Sequence, residues 1–148
     1  MKIQKITLIG LLIVILALSI ISCIFLLPNA ILFIPLTISL MTGLIIFTDN
    51  GFNILIKSSL SYLFIGLNDI GIRLFSEGGK HDFEGNGLIV LLLFIGLVPC
   101  FIMLLIGVFR DKDYSLWIKA LSIAIFILLI CVHLILFQTL GVDQSRYQ

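Results

Sequence analysis

Two places in this sequence hold residue types that do chemistry. The first is His81-Asp82-Phe83-Glu84, with Glu77 just before it. These side chains are of the kind that hold zinc or a harder cation, and a metal site needs three or four of them converging. They sit among Gly78, Gly79, Gly85 and Gly87, and nothing in the sequence fixes their mutual positions. The reading is therefore a solvated charged loop with no metal and no cofactor. Its charges alternate in sign, which suits contact with a protein better than with lipid headgroups. The second is His133, an ionisable group inside an apolar run. Intramembrane ionisable groups mark functional sites by default. No acidic residue is expected within a span to partner it, and it lies close enough to a helix end to reach the interface.

Nothing else carries catalysis. There is no glycine-rich phosphate loop, no pair of carboxylates within an apolar run and no Ser/His/Asp arrangement, so the chain reads as non-enzymatic. A net charge of +1 excludes direct nucleic-acid binding through a basic patch.

The elements that must position these residues are apolar helices. The chain has 148 residues, 61% of them hydrophobic and 11% charged, with a mean hydropathy of +1.29. Soluble domains carry about 25% charged residues, so this is the composition of an all-α integral membrane protein. Cys23, Cys100 and Cys131 all fall in apolar runs and read as small packing residues rather than a disulfide framework.

Four spans are expected over about 6–27, 30–48, 88–109 and 116–137, forming two hairpins in one transmembrane domain covering 1–148. Lys2 and Lys5 precede the first. Ile20-Ile21-Ser22-Cys23 resembles a lipobox, but the apolar run continues past the cysteine, which favours a span. Pro28-Asn29 makes the first turn. Pro99 should kink the third span. Tyr114 and Trp117 lie at the start of the fourth, where interfacial aromatics belong. Ser39 with Gly43, and Ala120 with Ala124, are small-xxx-small pairs expected to pack helices.

The connection over 52–87 is different. Phe52, Leu55, Ile56, Leu60, Leu63, Phe64, Leu67, Ile70 and Leu74 recur at helical spacing, with Lys57, Ser58, Ser61, Asn68 and Gly71 largely off that stripe. This predicts an amphipathic interfacial helix, broken near Gly66 or Gly71, followed by the charged loop. With four spans, six basic residues share a side: Lys2, Lys5, Lys57, Arg73, Lys80 and Arg146. Three lie opposite: Arg110, Lys112 and Lys119. The positive-inside rule then places both termini and the connection in the cytoplasm of a bacterial inner membrane. If Phe52–Leu67 crosses instead, the loop faces the other side and the charges satisfy the rule about as well.

The short basic start at Lys2 and Lys5, the four apolar runs and the central connection with Asn68-Asp69-Ile70-Gly71 and a charged glycine-rich loop resemble the KwaA family. That family supplies the membrane component of the Kiwa anti-phage system. The layout is also similar to the four-span immunity proteins that protect against pore-forming bacteriocins. The first resemblance implies a sensor or scaffold in antiviral defence that forms a homo-oligomer in the lipid bilayer and holds a cytosolic effector protein. The docking residues would then be Lys57, Arg73, Glu77, Lys80, His81, Asp82 and Glu84. An immunity protein is the alternative, and a small channel or holin a third reading.

Overall fold

The computed structural model describes residues 4–25, 29–75, 83–137 and 140, with backbone alone at 29–30 and 83–86. Among these residues the chain is all-helical. The elements are α1 (Lys5–Phe25), a short 3₁₀ turn (Asn29–Phe33), α2 (Ile34–Phe47), α3 (Ile54–Phe75), α4 (Phe83–Arg110) and α5 (Leu116–Phe137).

Local chemistry sets the boundaries. Pro35 stands in the first turn of α2, where its missing N–H is no loss. The turn after α2 is built by Asn50. Its side-chain amide donates to the Ile45 carbonyl at 3.0 Å, and its Oδ1 accepts from the Phe52 N–H at 3.0 Å. Gly51 follows at φ 68°, a left-handed conformation that glycine adopts without cost. Asn53 then caps α3, its Oδ1 accepting the Ile56 N–H at 2.8 Å.

α1, α4 from Gly87, and α5 are each long and apolar enough to cross a membrane. Their outer faces are apolar: Leu18, Val98, Leu128 and Ile135 are all exposed. α2 has 14 residues, about 21 Å at ~1.5 Å per residue. That is less than the ~30 Å hydrocarbon core, because the expected second span begins as the 3₁₀ turn. α4 starts five residues before the expected third span and continues as helix through Pro99.

Sequential hairpins are not the dominant packing. α2 packs most heavily on α4, and α3 on α5. Each of these pairs runs parallel. Along α2 and α4, Ile38 meets Gly96, Thr42 donates to Cys100 Sγ at 3.3 Å and Ile46 meets Gly107. Along α3 and α5, Ser58 bonds Ser122 and Asp69 meets His133. α1 also runs parallel to α3, with Lys5 over the Phe52 ring at one end and Ile20 against Gly71 at the other. α4 and α5 are antiparallel, Phe101 stacking on Phe126 while Phe94 and Leu134 line one recess. The result is an up-down-up-down-up arrangement.

α3 lies at its centre as one continuous helix, unbroken at Gly66 and Gly71. Its sides are reversed relative to a helix on a soluble protein. Ser58, Ser61, Asn68, Asp69 and Arg73 are buried, while Ile56, Leu63, Leu67, Leu74 and Phe75 are exposed. An interfacial helix would turn its polar side to water; here the other helices of the chain cover it.

Candidate functional site in the α3–α5 interface

Two polar contacts join α3 to α5, and both pairs are 64 residues apart in sequence. The lower is neutral. Ser58 Oγ donates to the Ser122 carbonyl at 2.7 Å, and Ser122 Oγ donates back to the Ile54 carbonyl at 3.2 Å. Each hydroxyl meets an acceptor on the other helix, so no buried hydrogen-bonding capacity is lost.

The upper contact is charged. Asp69 and Arg73 are one turn apart on α3, with Arg73 Nε 2.7 Å from Asp69 Oδ2. His133 Nε2 reaches the same oxygen at 2.9 Å. All three residues are at most 2% exposed. Arg73 also makes further contacts. It stands in the last turn of α3, where positive charge is favoured by the helix dipole.

An ionised carboxylate only accepts, so against such an Asp69 the His133 Nε2 carries a hydrogen. The ring is held on three sides. Tyr62 meets it edge-on at 6.0 Å, Phe137 lies 4.9 Å away, and a Cβ on Gly66 would stand 3.4 Å from Nδ1. An ionised Asp69 and Arg73 offset each other's charge within one turn of α3.

The balance is incomplete in one respect. Asp69 Oδ1, His133 Nδ1 and both polar atoms of the Asn68 amide are buried without a partner. An unmet buried polar group costs about 1–3 kcal/mol, and a recess of about 160 Å³ opens beside the cluster.

His133 thus points into the bundle. It does have an acidic partner, contrary to the sequence expectation, because Asp69 lies on a helix packed among the others. Arg73 is buried in this cluster. Lys57 is half-buried and occupied: its Nζ lies 3.4 Å from the carbonyls of Ile46 and Thr48, closing the end of α2. Glu77, Lys80, His81 and Asp82 lie outside the described residues, as does the side chain of Glu84, whose backbone is already helical.

Among the helix-packing candidates, Gly43 does face α4, its would-be Cβ 3.3 Å from Met103 Sδ. Ser39 bonds back to the Pro35 carbonyl at 2.6 Å. Ala120 and Ala124 are exposed. Sequence reasoning passed over Gly96 instead, where a Cβ would stand 2.8 Å from the Pro35 backbone. No group of three metal-ligating side chains occurs among the described residues.

Comparison of the chain with protein-family models, curated proteins and solved structures finds no match.

Proposed function

We propose that the chain is a membrane-embedded sensor subunit whose responsive element is the α3–α5 interface. The observation that carries this reading is the Asp69–Arg73–His133 cluster, buried within helices whose outer faces are apolar. Ionisable groups buried among apolar helices are costly and mark candidate functional sites. A cluster held by one histidine contact to the neighbouring helix has two discrete states, contact made and contact broken. That is the kind of bistable element on which a membrane disturbance can act.

The topology in this proposal is five crossings. α3 runs beside α5 in one register over its buried length, which supports placing it at the same depth. Its 22 residues reach about 33 Å. The N-terminus, the Asn50 turn and the Arg110–Asp113 turn then share the cytoplasmic side, and the C-terminus lies opposite. This differs from the four-span expectation, in which both termini are cytoplasmic. An alkaline phosphatase fused after Gln148 tests it. Five crossings give an active periplasmic enzyme; an inactive one returns the topology to four.

A bacterial inner-membrane defence setting, a homo-oligomer and a cytosolic effector belong to the same proposal and rest on the layout resemblance. With five crossings, the effector would dock on the side of the Asn50 and Arg110–Asp113 turns. Cross-linking in cells before and after phage challenge or membrane depolarisation tests the sensing role. A soluble partner whose capture changes with the stimulus is expected, with that change lost in His133→Leu while insertion is kept. A capture pattern indifferent to the stimulus sinks the sensor reading.

A further inference from the structure

The two ring nitrogens of His133 are used unequally. Nε2 meets Asp69 Oδ2 at 2.9 Å, while Nδ1 is buried with no hydrogen-bond partner. Against an ionised Asp69 the hydrogen stands on Nε2, so Nδ1 of a neutral ring holds a lone pair. Asp69 Oδ1 is the other open acceptor of the cluster that can take a proton. A proton there would neutralise the carboxylate that both donors use. A proton on Nδ1 leaves every existing contact in place.

The surroundings decide whether a charge on the ring can be held. Burial opposes it. Three features act the other way. Asp69 would make the 2.9 Å contact charge-assisted, roughly twice as strong as a neutral hydrogen bond. The Phe137 ring centre lies 4.9 Å from that of the imidazole, within the ~6 Å reach of cation–π attraction. His133 also stands about one turn before the end of α5 at Phe137, where the helix dipole favours positive charge. Among the described residues the titratable or charged groups facing the ring are Asp69, Arg73 and Tyr62, all on α3. α4 brings Val90 and Phe94 to the shared recess, and α1 and α2 do not pack on α5. Arg73 is the like charge. It lies on the same carboxylate oxygen but makes further contacts, so Asp69 is not its sole partner. Nδ1 is closed to solvent, which slows a proton without deciding where it settles. A local opening at the ends of α3 and α5 admits it.

We propose that His133 is a proton-binding site: uptake at Nδ1 turns its contact with Asp69 into an ion pair and fastens α5 to α3. One N–H bond forms, and the proton comes from water at that end of the bundle. The inference rests on the reading of the α3–α5 interface as the responsive element, and names acidification as its stimulus. In the five-crossing topology these helix ends face the periplasm, so the proton comes from outside the cytoplasm.

The test uses the full chain in nanodiscs of phosphatidylethanolamine and phosphatidylglycerol, its histidines labelled with nitrogen-15 and protons the only ligand added. The other histidine is His81, so the His81→Gln variant assigns the spectrum. Between about pH 8 and 5, where imidazole ordinarily changes charge, the His133 ring should become doubly protonated while the chain stays folded. Hydrogen exchange at the Val132–Leu136 amides, corrected for its intrinsic pH dependence, should slow about fivefold over that range. His133→Gln keeps a side-chain donor that does not titrate and should show no such slowing. Asp69→Asn keeps an acceptor oxygen without the charge. It should take up the proton only at lower pH, and it serves alone if His133→Gln fails to fold. A ring that stays neutral throughout, exchange unchanged or faster in acid, equal slowing in folded His133→Gln, or an Asp69→Asn ring that titrates like the parent would each overturn the proposal. Partner capture keeps the two readings apart. Capture that responds to a membrane stimulus while His133 takes up no proton sinks only the proton site. Proton uptake with capture indifferent to every stimulus, acid included, sinks the sensor reading and leaves the proton site standing.

Discussion

Arg73 and His133 donate to a single carboxylate oxygen of Asp69, from 2.7 and 2.9 Å, so one buried acceptor holds a cation of its own helix and an imidazole of the next. Removing the acceptor is therefore worse than removing either donor. Asp69→Leu takes the shared acceptor from both donors and should lower unfolding stability by about 1–3 kcal/mol. His133→Leu should cost far less. The double variant Asp69→Leu/Arg73→Met should be more stable than Asp69→Leu alone, because it also removes the cation that Asp69 balances. Thermal or denaturant unfolding in detergent ranks the four proteins, and a double variant no better than the single would show that charge balance does not set this core.

The reciprocal serine pair gives a milder expectation. Interhelical hydrogen bonds in membrane bundles average about 0.6 kcal/mol. Ser58→Ala and Ser122→Ala should each cost roughly that. Each hydroxyl donates to a backbone carbonyl rather than to the other hydroxyl, so the two losses should add in a double-mutant cycle. A coupling above ~1 kcal/mol would mean the two hydroxyls act as one unit.

Close helix approach should be punished where backbone stands in the way. Gly96→Ala places a methyl group 2.8 Å from Pro35 Cα, on the most heavily packed helix pair. It should destabilise by about 1–3 kcal/mol. Gly10 and Gly87 have nothing within 4 Å, and alanine there should be neutral or slightly favourable. Parallel melting curves of the three variants decide it.

Lys57 offers a test of role. If its work is to close the end of α2, Lys57→Met should loosen the turn at Asn50 and cost about 0.3–1 kcal/mol, while Lys57→Arg keeps most of the stability. Hydrogen exchange at the Thr48–Phe52 amides would register the loosening. Unchanged exchange together with lost partner capture would return Lys57 to a docking surface.

The parts of this architecture legible in the sequence are those governed by apolar length. α1, α4 and α5 lie where uncharged runs predict them, and His133 stands out in any hydropathy reading. The periodicity of α3 was legible too, but not its sense. An amphipathic pattern says that two faces differ; it does not say which face meets the core when the surroundings are apolar. Asp69 escaped notice as the partner of His133 because it sat in a segment read as lying outside the spans. The signal was present nonetheless: Ser58, Ser61, Asn68, Asp69 and Arg73 form a polar stripe on one side of a helix whose other side carries Ile56, Leu63, Leu67 and Leu74. The parallel pairings of α2 with α4 and α3 with α5 had no local signal, since they depend on Gly96, Gly107 and Gly66 meeting side chains far away in sequence.

The constant offset of 64 residues between α3 and α5 also bears on biogenesis. When α3 leaves the ribosome, Ser122 and His133 have not yet been synthesised, so its polar stripe has only α1 and α2 to meet. Asp69 and Arg73 can neutralise each other within one turn and make that interval survivable. α3 should remain beside the insertion machinery until α5 arrives, and nascent chains arrested after Arg110 should cross-link to it more strongly than chains arrested after Phe137.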